Sequence, residues 1–236
     1  MSAPLWAVEL ADAFWAAAGE PGPFPRDLAG PVARGWPLTV VDIAGLSLAT
    51  ARAWLAERGV PCPAMGPDRR LRAGLVATGG DGVVFLDADD PSDERRFSLA
   101  HEVAHHLRDA WRVRERAAAR LGRDVLAVVD GKRPATAAER LHAALAGLPL
   151  ALDVHLLRRE AGEPPPGVAA VERDADRLAY ELLAPAEVAR GRSVNELMAA
   201  FGLPRTQAMR YRAILHPVAR PDPLLARLKD ASAKRR

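Results

Sequence analysis

One helix-sized stretch of this sequence constrains the fold more than any other. Residues 96–107 read RFSLAHEVAHHL, and their centre matches the pattern H-E-x-x-H. Side chains four residues apart share one face of an α-helix, so His101 and His105 can reach one cation together. Glu102 follows the first histidine, where a carboxylate can take a proton from a water molecule bound to that cation. The pattern therefore predicts a metal site carried largely by a single helix.

The alternative interpretation is a surface helix that carries two histidines and a glutamate by chance. Most other side chains of the stretch are apolar, which predicts a buried helix. They are Phe97, Leu99, Ala100, Val103, Ala104 and Leu107. A buried helix tolerates two histidines and a glutamate only if these polar groups have partners. The apolar setting therefore favours the metal site.

Another predicted helix, which carries acidic residues, offers a third ligand for a metal bound by the two histidines. Residues 171–183 form an amphipathic helical pattern, and Glu172 falls on its apolar side. A carboxylate there needs a positive partner, and a metal held by two neutral imidazoles needs another ligand. We therefore predict Glu172 as the third ligand, and Asp176 as the acceptor of a hydrogen bond from a ligating imidazole. The alternative makes Glu172 an exposed carboxylate in the first turn, favoured by the helix dipole; Asp174 points elsewhere on the wheel.

Composition limits the classes of protein that remain. The chain has 236 residues and is 49% hydrophobic, so a packed core is feasible and general disorder is not expected. No apolar run approaches the length of a membrane-spanning helix, and the N-terminus lacks the pattern of a signal peptide. The single cysteine, Cys62, has no partner for an internal disulfide and suits a reducing compartment. These features predict a cytoplasmic protein outside the membrane.

The remaining pattern predicts a mainly helical α+β protein with a small sheet. Strands are expected at residues 71–78 and 83–86, with a glycine-rich hairpin turn between them. A strand beside the site helix can hold an extended substrate by backbone pairing, which we take as a hypothesis for this hairpin. Helices are expected at residues 5–18, 48–58, 111–127, 136–148 and 152–160. His142 and His155 lie on the last two without a spaced partner, so we expect them to be solvated or packed.

The C-terminal segment has the pattern of a helix-turn-helix. Ser193 predicts the start of a helix over residues 194–201, and Gly202 predicts its end. A second helix is expected over residues 205–215. Basic residues of this segment could meet DNA phosphates. They are Arg205, Arg210, Arg212 and the tail Lys234-Arg235-Arg236. Helix pairs of this kind are also common packing units, and the net charge of +3 is small. DNA binding is therefore the weaker interpretation.

Both polar motifs resemble those of the ImmA/IrrE family of metallopeptidases. Residues 96–106, RFSLAHEVAHH, resemble the family form R-F-S/T-L-A-H-E-L-G-H, and residues 172–185, ERDADRLAYELLAP, resemble E-x-E-A-N-x-F-A-x-E-L-L-x-P. The helix pair after Ser193 is similar to the family's helix-turn-helix-like tail. The resemblance covers about residues 40–215. The replacements preserve the chemistry: Ala104, Asp174, Asp176 and Leu178 stand where the family usually has Gly, Glu, Asn and Phe.

The resemblance implies a zincin-like metallopeptidase domain over residues 38–188. An N-terminal helical segment, residues 1–37, precedes it, and a helix-turn-helix-like segment with a basic tail, residues 189–236, follows it. The implied zinc ligands are His101, His105 and Glu172, with Glu102 as general base; manganese also suits this ligand set. Residues 110–170 exceed the expected spacing between the motifs and predict a helical insertion that covers the cleft.

The resemblance also implies a partner. Members of the family cleave a helix-turn-helix transcriptional repressor of stress-response or mobile-element genes, and here that repressor would be a separate chain. A different class of function also remains open, namely a regulatory binding protein that uses the same scaffold with little or no proteolysis. His106 and Tyr180 are candidates to stabilise an oxyanion, although both residue types more often pack or orient a ligand.

Overall fold

The described part of the chain is a mainly helical α+β structure with one small mixed sheet, as the sequence predicts. A computed structural model describes residues 3–60, 66–78, 80–146, 154–158 and 166–217. The strands are β1 (Leu38–Ile43), β2 (Leu71–Thr78), β3 (Asp81–Asp87) and β4 (Val154–Arg158). The α-helices are α1 (Leu5–Ala18), α2 (Ala29–Gly35), α3 (Leu48–Glu57), α4 (Ser92–His105), α5 (Arg112–Leu121), α6 (Leu126–Val129), α7 (Ala137–Ala146), α8 (Pro166–Leu183), α9 (Ala186–Ala189), α10 (Val194–Phe201) and α11 (Arg205–Leu215). Cys62 and the basic tail lie outside the described residues.

The sheet has the strand order β1-β3-β2-β4. Strand β1 runs parallel to β3, while β2 is antiparallel to both β3 and β4. The predicted hairpin is therefore confirmed, with β3 longer than expected. Both of its strands have a neighbour on each side, so an extended substrate cannot pair with either of them along these registers. The hypothesis that the hairpin holds a substrate is wrong for that reason.

The predicted helix over residues 152–160 is wrong, because residues 154–158 form β4. Its backbone pairs with β2 from Leu71, opposite Arg158, to Val76, opposite Val154. A short apolar run does not distinguish a helix from a strand, whereas the hydrogen-bonding groups along the edge of β2 require a partner. His155 therefore lies on a strand.

The predicted helix over residues 111–127 is interrupted. Helix α5 ends at Leu121, and Gly122 follows with a φ of +84°, which stops the helix. A short 3₁₀ turn and α6 come next and pack with α5 and α7 around a small cluster of their own. The cluster consists of Ala117, Val125, Val128, Val129 and Ala143. His142 is exposed on α7, as expected for a solvated histidine.

The C-terminal helix pair predicted from the sequence is confirmed, because α10 and α11 have the expected bounds. The Ser193 hydroxyl accepts a hydrogen bond from the backbone N–H of Glu196 at 3.3 Å, and α10 begins at the next residue. Gly202 ends α10 with a left-handed φ of +63°. The Arg96 guanidinium of α4 donates to the Gly202 carbonyl oxygen at 3.1 Å. This contact joins the helix pair to the helix that carries the H-E-x-x-H pattern.

Two hydrophobic clusters cover the two faces of the sheet. Val84 and Leu86 belong to the larger cluster, which also contains buried residues of α1, α2, α4, α8, α10 and α11. Phe85 and Val83 alternate with them and pack in the cluster with α3. Helix α4 therefore lies between the sheet and α8 in the main core. None of the described helices is long and apolar enough to cross a membrane.

Candidate metal centre

Helix α4 is buried along the whole length of the motif. Every residue from Phe97 to His105 is buried, including the three polar side chains of H-E-x-x-H. One side of α4 packs against β2 and β3, and the other packs against α8. The surface-helix alternative is therefore wrong. Buried imidazoles and carboxylates destabilise a fold unless they are paired, so their partners decide what this helix does.

Helix α8 brings Glu172 to the two histidines. Its Oε2 atom lies 3.1 Å from the His101 Nε2 atom, and its Oε1 atom lies 3.8 Å from the His105 Nε2 atom. The two Nε2 atoms are 3.1 Å apart. Each of the three residues offers one atom that can donate an electron pair to a metal, so the group could hold a metal ion; we call these three residues the donors. The sequence places all three on helices, and the packing of α4 against α8 brings them together.

Each imidazole has a carboxylate at its other nitrogen. Asp176 Oδ1 lies 3.0 Å from His101 Nδ1, and Asp109 Oδ2 lies 3.0 Å from His105 Nδ1. A carboxylate only accepts hydrogen bonds, so it favours a proton on Nδ1. When both imidazoles are neutral, the Nε2 atoms then carry lone pairs that face each other and Glu172. Three acceptors at this distance repel one another unless a positive charge lies between them.

The spacing of the three donor atoms fits a small metal ion. Ligand atoms bound at 2.0–2.1 Å in a tetrahedron lie about 3.3 Å apart. The two Nε2 atoms lie 3.1 Å apart, and His101 Nε2 lies 3.1 Å from Glu172 Oε2, while the other carboxylate oxygen, Oε1, lies 3.8 Å from His105 Nε2. One ligand atom from each of the three residues lies within 4.8 Å of the other two. The carboxylates behind the imidazoles match the usual surroundings of metal-binding histidines. The residues present therefore fit a metal ion.

The electrostatics of the group stabilise positive charge. Complete burial disfavours a charged imidazole, but the hydrogen bonds with Asp176 and Glu172 outweigh it and raise the pKa of His101 to about 10. Burial also opposes ionisation of Glu172, yet the hydrogen bonds with the two histidines hold the pKa of this carboxyl below its usual range. The donors thus favour a cation at the place where they meet.

Glu102 is the least satisfied polar group of the site. It is fully buried, and neither carboxylate oxygen has a hydrogen-bond partner within the described residues. Burial raises the pKa of Glu102 to about 7, and the nearby Glu172 adds to the shift while the two histidines oppose it. A buried carboxyl with both oxygens unpartnered is costly, and such groups are typical of functional sites.

Asp109 is a site residue that the sequence analysis missed. It belongs to a π-helical turn over His106–Trp111 that continues α4, and it is four residues after His105. The spacing alone could have identified it, because a carboxylate four residues after a ligand lies on the same side of a helix. The side chains of Asp109, Asp176 and Glu172 are 22%, 22% and 26% exposed, so the carboxylates form the solvent-facing side of the centre.

The other candidate residues lie outside the donor group. Tyr180 is buried and donates its hydroxyl proton to Gln207 Oε1 at 2.7 Å, and burial raises its pKa. His106 is buried at the edge of Trp36, and burial lowers its pKa to about 4. Both residues pack, as their types suggest. Asp174 forms an ion pair with Arg177 at 3.3 Å on the outer side of α8.

Comparisons with protein-family models, curated proteins and solved structures found no match for this chain. The interpretation of the centre therefore depends on its own geometry and on the resemblance of the two motifs.

Proposed function

We propose that this protein is a zinc-dependent endopeptidase with a zincin-like domain of the ImmA/IrrE type. One observation carries the proposal: His101, His105 and Glu172 converge within a buried core beside Glu102, a carboxylate without a partner in the described residues. A structural group of histidines and carboxylates needs no such additional buried acid. A hydrolytic site does need one, because peptide hydrolysis requires a group that takes up and returns a proton.

Zinc is the metal we propose for the three donors. Two imidazoles and one carboxylate are a common catalytic set for zinc, with the remaining position left for water or substrate. When bound, zinc lowers the pKa of a water molecule and polarises a peptide carbonyl. The side chains of His101 and His105 are at most 3% exposed, whereas Glu172 is 26% exposed, so the open side of the site is the Glu172 side. Manganese is the second choice for the same donors.

Glu102 is the residue to which we assign proton transfer. Both of its oxygens lack partners in the described residues, so either can accept a proton from water and later donate it to the leaving amine. Asp176 and Asp109 hold the imidazoles in the tautomer that leaves Nε2 as the donor atom to a metal.

The resemblance to ImmA/IrrE proteins suggests the substrate. We propose a separate helix-turn-helix transcriptional repressor in a stress-response or mobile-element system, cleaved in the cytoplasm. The test is a peptide library whose cleavage is followed by mass spectrometry, with the protein stripped by a chelator and then reloaded with zinc. Hydrolysis that requires zinc supports the proposal. Bound zinc without hydrolysis of the library or of any repressor of this class favours a regulatory binding protein.

Asparagine at either supporting carboxylate is expected to weaken metal binding. Asp176→Asn and Asp109→Asn keep a hydrogen-bond acceptor but remove the negative charge that raises the basicity of each imidazole. We expect a loss of about 10- to 100-fold in zinc affinity for each variant, measured by competition with a chromophoric chelator. Asp174→Asn is the matched control, because Asp174 pairs with Arg177 on the outer side of α8. Equal losses in all three variants would contradict the assignment of Asp109 and Asp176.

DNA binding by the C-terminal helices is a second candidate function, favoured by the distribution of charge. Residues 186–236 contain eleven Lys and Arg but four Asp and Glu, a net +7, while the whole chain has +3, so the first 185 residues carry −4. The side chains of Arg205, Arg210 and Arg212 are exposed on α11. A basic segment that contains a helix-turn-helix geometry fits the phosphate backbone of DNA.

The salt dependence of duplex binding tests this second function. Binding of a labelled duplex should weaken linearly on a plot of log affinity against log salt. Changing Arg205, Arg210 and Arg212 to alanine should reduce the slope by about 3 if each neutralises one phosphate. The same change at Arg52, in the middle of α3, and at Arg58, directly after α3, serves as the control. Binding that does not depend on salt, or no binding at all, would remove this function.

A further inference from the structure

Arg108 contacts helix α8 and its own neighbour Asp109 beside the candidate metal centre. It is the third residue of the π-helical turn that follows α4, and its side chain is 15% exposed. Its Nη1 atom donates to the Val171 carbonyl oxygen of α8 at 2.6 Å. Its Nε atom lies 2.9 Å from the Asp109 Oδ1 atom. A single guanidinium thus connects the end of the α4 segment to α8.

We propose that Arg108 is a positioning residue that holds Glu172 and His105 at the distance from each other that a shared metal ion requires. Each of the two groups that Arg108 contacts is adjacent to a candidate ligand, one along the chain and the other through a hydrogen bond. Val171 directly precedes Glu172 in α8, and the other oxygen of Asp109 lies 3.0 Å from His105 Nδ1. This inference rests on the proposed metal centre, since its purpose is to set the distance between donors supplied by two different helices.

The position of Glu172 in α8 explains why such a contact is needed. Helix α8 begins at Pro166, so Glu172 lies in its second turn. The first four N–H groups of a helix have no partner within it, and helix ends open more easily than helix centres. Further along α8, Leu178, Ala179 and Leu182 are fully buried and fix the helix by packing. Near Glu172, Arg108 of the π-helical turn donates to the Val171 carbonyl oxygen and so restrains the backbone of α8 directly.

The charge of Arg108 has the opposite effect on a cation. A guanidinium near the centre repels a bound metal ion, and this repulsion alone would weaken binding. The planar guanidinium, however, donates to the carbonyl and the carboxylate at once from a rigid fork of N–H groups, a geometry that a lysine ammonium does not reproduce. If Arg108 positions the donors, a neutral substitution should lower the metal affinity; if Arg108 acts only by its charge, the same substitution should raise it. This difference makes the role of Arg108 measurable.

The experiment compares Arg108→Gln and Arg108→Lys with the wild-type protein. If Arg108 positions the donors, both variants should lose about 10- to 100-fold in zinc affinity, as measured by chelator competition. The visible spectrum of the cobalt-loaded protein should also change, because loss of Glu172 from its place alters the coordination of the metal. If Arg108 acts by charge alone, Arg108→Lys should leave the affinity unchanged and Arg108→Gln should raise it. That result, with an unchanged cobalt spectrum, would overturn the inference.

A control variant and the wild-type protein separate the possible failures. Arg133→Lys is the matched control, because Arg133 binds Glu139 and two carbonyl groups away from the three donors. It should leave zinc affinity and the cobalt spectrum unchanged. If Arg108→Gln does not fold, Arg108→Lys still decides between the two outcomes. A wild-type protein that binds no zinc would overturn the proposed function itself, whereas wild-type binding with unaffected Arg108 variants overturns only the role of Arg108.

Discussion

Replacing Glu102 with glutamine is expected to reduce peptide hydrolysis by about a hundred- to ten-thousand-fold. Glutamine has nearly the same shape but cannot take up a proton from water. Because Glu102 is not one of the three donors, one equivalent of zinc should remain bound. The fold should be preserved as well, because neither oxygen of Glu102 makes a hydrogen bond within the described residues. The measurements are the rate of library cleavage and the zinc content of the same sample.

The matched control for this variant is Glu181→Gln. Glu181 is also a buried carboxylate, but it accepts a hydrogen bond from the backbone N–H of Ala186 at 3.1 Å. An amide oxygen can accept the same bond, so hydrolysis by this variant should be close to that of the wild type. Hydrolysis by Glu102→Gln at the wild-type rate, with zinc bound, would show that another group transfers the proton. The peptidase assignment of the H-E-x-x-H motif would then be wrong in its central step.

Removal of the Glu172 carboxylate is expected to release the metal. Glu172→Ala leaves two imidazoles without the only anionic donor of the three-residue group. Loss of a carboxylate behind an imidazole costs about 10- to 100-fold in metal affinity, so loss of a direct ligand should cost more than about a hundredfold. After identical dialysis, we expect about one equivalent of zinc in the wild type and little in the variant. Metal content by elemental analysis is the measurement.

Asp174→Ala shows whether the effect is specific to the site. Asp174 lies two residues after Glu172 on α8, is 40% exposed on its side chain, and pairs with Arg177. Its removal takes away one negative charge from the same helix without touching the donor group. Zinc content in this variant should equal that of the wild type. If Glu172→Ala retains its zinc, the third ligand is misassigned, and a metal bound elsewhere would have to be sought.

The helices that carry the donors could be predicted because their patterns are local. The spacing of His101 and His105 and the apolar residues around them are properties of twelve consecutive residues. The amphipathic pattern of α8 likewise placed Glu172 and Asp176 on its inner side. Serine caps begin α3 and α10, and a left-handed glycine ends α10; these signals are local too, since each operates within a few residues.

Only the tertiary structure decided which distant groups meet. Residues 154–158 form a strand because β2 presents backbone groups that need a partner, and no local pattern contains that information. The distances among His101, His105 and Glu172 depend on how α4 packs against α8, as does the contact of Arg108 with Val171. The sequence therefore determined the residue types and the helices that carry them. Packing between segments about seventy residues apart determined that they form one centre, because burial and donor distances are properties of the assembled core.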